Sequence, residues 1–301
     1  MKTPSTKFFV RKTILRHMKN FARNFDGARK GDVEGIHQLR VASRRFRNAL
    51  WAFSSLLDGK SVKKWRKEIG EAAKTCGEAR DLDVEMSFLV RLKQRTKNPD
   101  EKAGIRKMLF ILDLQRKQLQ TDIVKAIEIF EKRETTRKVE KRLGRMSEGA
   151  PERQTIDLFN LAQSKIAKRL KRMLKYDKYA ACPEKTAKIH ALRIAAKWLR
   201  YTLECFQLLY GDKMNKHIEH ARSIQNVLGL FHDYDVWLTS SSEFPGRKKR
   251  DEQIARGSDC FIKECAAMKN RAYKQFAKVW HRLKHEKQWR SLIQLITSKN
   301  D

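Results

Sequence analysis

The sequence is poor in residues that interrupt helices, and it lacks the patterns of several common protein classes. Its 301 residues include only five prolines and thirteen glycines, and no segment alternates apolar and polar residues as a half-buried strand does. No apolar run reaches the length of a membrane span, and the amino terminus has no apolar segment of signal-peptide length. These absences predict an all-α cytoplasmic protein without a membrane span.

Cysteine is also scarce, and no two cysteines have the spacing of a metal or redox motif. The five are an odd number without a Cys-x-x-Cys pair, which indicates reduced thiols rather than a disulfide framework. The sequence contains no glycine-rich phosphate loop, no carboxylate pair typical of glycosidases and no Ser-His-Asp arrangement. We therefore expect no catalytic residue, no metal and no cofactor.

Basic residues outnumber acidic residues by almost two to one. Asp and Glu number 35 against 68 Lys and Arg, which gives a net charge of +33. Self-repulsion on this scale destabilises a compact protein and makes sense mainly if the partner is a polyanion. The candidates are a nucleic acid, an anionic membrane surface or a phosphate polymer.

An eighteen-residue segment occurs twice, at residues 36–53 and 189–206, with eight of the eighteen positions identical. On a helix, residues spaced three and four apart form one stripe in each copy, which we call the seam and expect to be buried against other helices. Its members are Ile36, Leu39, Ser43, Phe46, Leu50 and Phe53 in the first copy, and Ile189, Leu192, Ala196, Leu199, Leu203 and Phe206 in the second.

A second stripe beside the seam carries one histidine and three cations in each copy, and we call it the cationic row. The rows are His37, Arg40, Arg44 and Arg47, and His190, Arg193, Lys197 and Arg200. Each extends over about 15 Å of helix. A charge run is often only a solvated face, but such a face tolerates any polar residue, whereas the one row position that differs is still a cation. We therefore predict that each row lines a groove, where a histidine held neutral by its cationic neighbours donates to an arriving anion.

A second motif, Gly-x-x-[Arg/His]-Asp-x-Asp-Val, follows each row. The copies begin at Gly77 and Gly229, and their aspartates are Asp81, Asp83, Asp233 and Asp235. Two carboxylates two residues apart can share a divalent cation. We favour a structural interpretation, in which the glycine ends one helix and the aspartates cap and orient the next. A variant of it pairs Asp81 or Asp233 with a row arginine.

The duplicated motifs predict two four-helix-bundle-like units related by pseudo-two-fold symmetry. We place the first at residues 1–133, a charged connector at 134–153 and the second at 154–301. The rows of both units would then face one cavity.

The ordered tandem of His-x-Leu-Arg helices and Asp-x-Asp motifs resembles the CHAD family over nearly the whole chain. The resemblance implies binding of inorganic polyphosphate, through the eight row residues, in a basic groove or pore between the two helical units. It also implies association with polyphosphate granules, and binding of phosphate, sulfate or other polyanions is compatible with it. Family members often carry a triphosphate-tunnel domain that this chain lacks, so we expect no catalytic activity from such a domain.

Two alternatives stay open. A non-specific nucleic-acid-binding protein is supported only by the bulk charge. A metal-dependent phosphohydrolase would use the Asp-x-Asp motifs together with His232, whose His-Asp pair resembles that of metal phosphohydrolases.

Alanine at row positions should weaken polyphosphate binding more than alanine at outward-facing cations such as Arg45, Lys63 and Lys64.

Overall fold

The structure, a computed structural model, describes residues 5–146, 157–241 and 251–298, and within these residues it is helical and contains no strand. The all-α prediction is therefore confirmed. The described residues form twelve α-helices: α1 (Thr6–Ala22), α2 (Phe25–Arg29), α3 (Val33–Ala52), α4 (Gly59–Ala72), α5 (Lys74–Arg95), α6 (Pro99–Lys132), α7 (Thr135–Arg145), α8 (Leu158–Leu174), α9 (Thr186–Tyr210), α10 (Asn215–Ser241), α11 (Glu252–His285) and α12 (Gln288–Thr297).

Side-chain caps set the beginnings of α3 and α6. Asp32 accepts a hydrogen bond from the backbone N–H of Gly35 at 2.7 Å, which satisfies a donor that the first turn of α3 leaves open. Asn98 does the same for Asp100 and Glu101, at 2.9 and 3.3 Å. Both caps depend only on residues within one turn of the helix start.

The Gly-x-x-[Arg/His]-Asp-x-Asp-Val motifs do not interrupt helices, and this corrects our interpretation. Gly77 lies inside α5 and Gly229 inside α10, and both helices continue through them. A glycine costs a helix interior only about 1 kcal/mol, which packing along a long helix readily offsets. The aspartates cannot act as caps because all four lie inside helices: Asp81, Asp83, Asp233 and Asp235.

The chain divides into two compact units. The first comprises described residues within Met1–Asp81, Lys117–Ile166 and Glu204–Leu209, and the second those within Leu82–Arg116, Ala167–Leu203 and Tyr210–Asp301. These units interleave along the chain, whereas our division at residues 133 and 153 follows the sequence repeat. That division, and the pseudo-two-fold symmetry, stay predictions.

Most of the described part of the predicted connector at 134–153 is helical, because it contains α7. Helix α7 buries Val139 and Leu143, and its Thr135 hydroxyl donates to Glu68 of α4 at 2.6 Å. It is therefore packed as part of the first unit. Residues 147–156 lie outside the described residues.

The first unit is built around α3, which packs against α1 and α4. Every seam residue of the first copy is buried, as predicted. The rings of Phe9, Phe53 and Phe206 contact one another, with centroids 5.4 to 6.5 Å apart, and Phe21 packs against Phe46 at 6.1 Å. One face of α3 is thus fixed by the core, which leaves the adjoining row at its edge.

The second unit contains five of the six residues of the second seam, all buried, and packs α10 against α11, whereas the sixth, Phe206, belongs to the first unit. Helices α6 and α11 cross at two glycines, Gly104 and Gly257. A Cβ at Gly104 would lie 1.9 Å from the carbonyl oxygen of Gln253, so only glycine permits this approach. Around the crossing, Phe88, Trp237 and other apolar residues form one continuous core.

Candidate functional site

The first cationic row lies along the edge of the buried face of α3. His37, Arg40, Arg44 and Arg47 are all half-buried, while the seam residues beside them are buried. This position follows from the helical period, because residues adjoining a buried stripe lie at its boundary. The row is therefore a partly desolvated set of cations and not a freely solvated face.

The first aspartate of the first motif holds a row arginine, and the motif glycines lie beside row arginines. Nη2 of Arg40 donates to Oδ1 of Asp81 at 3.1 Å, which confirms the variant interpretation for Asp81. The position that a Cβ of Gly77 would occupy is 3.5 Å from Nε of Arg40. In the second unit, the corresponding position at Gly229 is 3.9 Å from Nε of Arg193. Each motif glycine therefore lies beside a row arginine, at a distance that an added Cβ would also fit.

The second aspartate of each motif pairs with a cation from a different helix. Asp83 accepts from Nε of Arg116 on α6 at 2.9 Å, and Asp235 accepts from Nζ of Lys269 on α11 at 2.6 Å. The equivalent positions therefore have equivalent roles: each fixes its motif helix to a neighbouring helix.

Arg66 of α4 joins the first row, and sequence reasoning missed it. Burial lowers the pKa of Arg47, and the charges of Arg66 and Arg44 lower it further; burial also lowers the pKa of Arg66. The guanidinium of Arg47 lies against Gly70, where a Cβ would come within 3.1 Å of its Cζ. Among the described residues, no carboxylate forms an ion pair with Arg44, Arg47 or Arg66. We call these three residues the arginine cluster.

His37 has a second neighbour that the sequence interpretation did not use. Burial lowers its pKa, and the charge of Arg80 on α5 is the largest electrostatic contribution, followed by weaker contributions that include Arg40 and Arg44. Within the described chain, Nδ1 of His37 is buried without a hydrogen-bond partner. Arg80 occupies the fourth position of the motif, and this repeat position was the available signal.

The same motif position in the second unit is His232, which contacts His190 directly. Their Nδ1 atoms are 3.0 Å apart, and the ring centroids are 4.1 Å apart. Burial lowers the pKa of His190, with Arg193 and Lys197 adding to the effect. The pKa of His232 is lowered to about 4, first by burial and then by Arg193. Both rings are therefore held neutral near pH 7.

One further position differs from expectation. Arg45, which we expected to face outward, forms two hydrogen bonds to Glu204, from Nε at 2.8 Å and from Nη2 at 3.3 Å. It is therefore a structural residue because its partner is largely buried. At the equivalent place in the second copy, Trp198 lies under the guanidinium of Arg169, with Cζ 5.3 Å from the ring centroid. Lys63 and Lys64 are exposed as expected.

Residues 12–240 match the CHAD domain family, a range that includes both rows and both motifs. The chain belongs to the CHAD domain family. Its fold is similar to the crystal structure of the CHAD domain from the plant Ricinus communis, with a TM-score of 0.71 and 18% identity over 92% of each chain. It is also similar to PptA from Streptomyces chartreusis, with a TM-score of 0.63 and 19% identity over 92% of this chain and 100% of that chain. No curated protein matches the sequence.

Two features that the described residues lack bear on the candidate functions. No group of three or more His, Cys, Asp or Glu side chains in residues 5–146, 157–241 and 251–298 is arranged to hold a metal ion. In the same residues, no helix combines the length and the apolarity needed to cross a bilayer. Three of the four motif aspartates, Asp81, Asp83 and Asp235, instead pair with cations, which are Arg40, Arg116 and Lys269.

Proposed function

We propose that this CHAD domain binds inorganic polyphosphate through its cationic rows, without catalysing a reaction. The observation that supports the proposal is the arginine cluster, in which half-buried guanidiniums lie close enough for the charges of Arg66 and Arg44 to lower the pKa of Arg47, without a carboxylate partner among the described residues. Such an arrangement is unfavourable until an anion neutralises it, because burial and like charges both oppose ionisation.

The residue types favour phosphoryl groups. Guanidiniums donate paired hydrogen bonds that match phosphoryl oxygens, and histidines add single donors. The row positions recur every three or four residues, so donors follow one another along the helix at intervals of about 5 Å. A polymer with a negative charge on every repeating unit is a suitable partner for such a series. The groove or pore between the two helical units, and association with polyphosphate granules, stay predictions of this proposal.

A nucleic-acid partner is less well supported. Proteins that bind single strands use aromatic rings on which bases stack. Among the described residues the exposed phenylalanines are Phe8 and Phe110, and neither lies on α3 or α9. The phosphohydrolase alternative is disfavoured because Asp81, Asp83 and Asp235 each have a cationic partner.

The test compares two triple variants of the full chain. Arg44→Ala, Arg47→Ala and Arg66→Ala together remove the arginine cluster; Lys60→Ala, Lys63→Ala and Lys64→Ala remove the same charge from an exposed part of α4. Binding of long-chain polyphosphate is measured by titration calorimetry at two salt concentrations. We expect the cluster variant to lose at least about tenfold more affinity than the control, because bidentate contacts are lost.

Equal losses from both variants would show a diffuse charge effect and overturn the proposed site. Displacement of polyphosphate by an equal charge concentration of duplex DNA would favour the nucleic-acid alternative. Release of phosphate from polyphosphate with Mg²⁺ or Mn²⁺, abolished by Asp233→Ala in a folded protein, would contradict the non-catalytic part of the proposal.

A further inference from the structure

The two rows differ in what faces their histidine. In the first unit His37 lies near Arg80, a permanent cation. In the second unit His190 lies against His232, with 3.0 Å between their Nδ1 atoms. The sequence repeat makes this difference informative, because Arg80 and His232 occupy the same position of the same motif. The second row therefore has a titratable group where the first has a fixed charge.

The contact between the two rings restricts their protonation states. At 3.0 Å one Nδ1 must carry the hydrogen and the other must accept it. The neutral pair then has one N–H donor and one bare acceptor on its two remaining nitrogens. A single added proton on the bare acceptor nitrogen turns it into a second N–H donor. The hydrogen bond between the two Nδ1 atoms is kept. A second added proton would place two N–H groups against each other, so the pair accepts one proton and resists another.

The charged groups around the His190–His232 pair oppose the added proton only while no anion is bound to the row. On α9 the pair faces Arg193 and Lys197, and on α10 it faces Asp235, whose carboxylate is bonded to Lys269 of α11. The balance is cationic, which with burial holds both rings neutral. An anion on the row reverses this balance, and a phosphoryl oxygen accepts hydrogen bonds but donates none.

We propose that His232 makes the second row a proton-linked phosphate subsite, in which the His190–His232 pair takes up a single proton as a phosphoryl group of polyphosphate binds. The inference rests on the proposed function and adds regulation to it. Binding at this row strengthens as pH falls from 7.5 towards 5.5, by up to about tenfold per pH unit for a one-proton linkage. The first row lacks this pair because Arg80 already supplies the charge.

Two reciprocal exchanges test the inference. His232→Arg places an arginine beside the histidine of the second row, as in the first unit, and Arg80→His places a histidine beside the histidine of the first row, as in the second unit. Protons taken up on binding long-chain polyphosphate are measured by calorimetry near pH 6.5 in buffers of different ionisation heat. We expect His232→Arg to take up about one proton fewer than the natural chain, and Arg80→His to take up more.

The outcomes separate the two levels of the proposal. If all three proteins bind polyphosphate with the same proton uptake, the inference is overturned and the proposed function stands. If the natural chain binds no polyphosphate at any pH, both are overturned. His232→Gln, which keeps a polar side chain of similar size, replaces His232→Arg if that variant does not fold, and it should also take up fewer protons.

Discussion

The carboxylate of Asp83 accepts a hydrogen bond from Nε of Arg116 at 2.9 Å, and both side chains are almost entirely buried. Asp81 lies two residues earlier on the same helix and also pairs with an arginine, but its side chain is 69% exposed. One motif thus contains a buried ion pair and an exposed one. The energetic consequences of losing them should differ.

We expect Asp83→Ala to lower the free energy of unfolding by about 3 kcal/mol or more, because Arg116 then stays buried without that carboxylate. Asp81→Ala should cost less than about 1 kcal/mol, because water solvates the pair. Urea unfolding of both variants measures the difference. Equal losses would show that the two aspartates do not have the separate roles assigned to them.

Glycine positions provide a second prediction, and here the direction of the effect differs between sites. A Cβ at Gly229 would have no neighbour closer than 3.9 Å, whereas one at Gly104 would overlap the backbone of Gln253. Gly229→Ala should therefore stabilise the protein by about 0.5–1 kcal/mol through helix propensity. Gly104→Ala should destabilise it by at least about 2 kcal/mol, because two helices must separate.

The control for this pair is Gly144→Ala. Gly144 lies in α7, and a Cβ there would meet nothing within 4 Å. It should gain about as much as Gly229→Ala, since only propensity changes. Thermal unfolding of the three variants checks the ranking. A loss of stability in Gly229→Ala would mean that an added Cβ is not accommodated beside Arg193, contrary to this prediction.

Helical periodicity predicted the parts of this CHAD domain that depend on one helix alone. The seams and the rows follow from spacing along a single element. The motif glycines misled us because Gly77 and Gly229 look like helix ends, and the cost of a glycine inside a helix is small compared with the packing of α5 and α10. A signal that spans only a few residues cannot show that tertiary packing keeps a glycine inside a helix.

The site residues that sequence reasoning missed lie on helices other than α3 and α9, which carry the rows. Arg66 is an ordinary cation in the pattern of α4, and only packing brings it to Arg47. No feature of the sequence marks it. Arg80 and His232 were different, because their shared motif position beside two equivalent histidines was visible in the repeat. Comparing the two copies position by position would have identified them as partners of the rows.

The arginine cluster predicts opposite effects on stability and on binding. Arg47→Met keeps an apolar stem against Gly70 and removes one of three adjoining charges. The ligand-free protein should gain about 1 kcal/mol in unfolding free energy, because like-charge repulsion and burial of the cation are both relieved. Polyphosphate binding should weaken. Chemical denaturation without ligand and calorimetry with it measure the two effects.

Lys63→Met is the matched control, because it removes a charge from an exposed position of α4. It should leave stability nearly unchanged and weaken polyphosphate binding only slightly. If Arg47→Met lowered the unfolding free energy of the ligand-free protein, Arg47 would be stabilising the fold. The claim that the cluster is held for an anion would then be wrong.

The buried histidine of α1 predicts how stability depends on pH. His17 is only 5% exposed, and its pKa is lowered to about 3 by burial and by the charges of Arg16 and Arg45. In the unfolded chain it titrates near 6.5. Above that pH both states are neutral and His17 contributes no pH dependence. Below it only the unfolded state takes up the proton, so stability falls as the pH is lowered towards 3.

We expect protonation of His17 in the unfolded chain to lower the free energy of unfolding by about 1.4 kcal/mol for each pH unit well below pH 6.5. Buried His217 and half-buried His232, whose pKa values are each lowered to about 4, act in the same direction. His17→Gln should therefore have a shallower loss of stability between pH 7 and pH 5 than the natural chain, whereas His281→Gln, at an exposed position, should not. Urea unfolding at several pH values gives the slopes. Parallel slopes for His17→Gln and the natural chain would mean that His17 is protonated in the folded protein, which burial among Arg16 and Arg45 opposes.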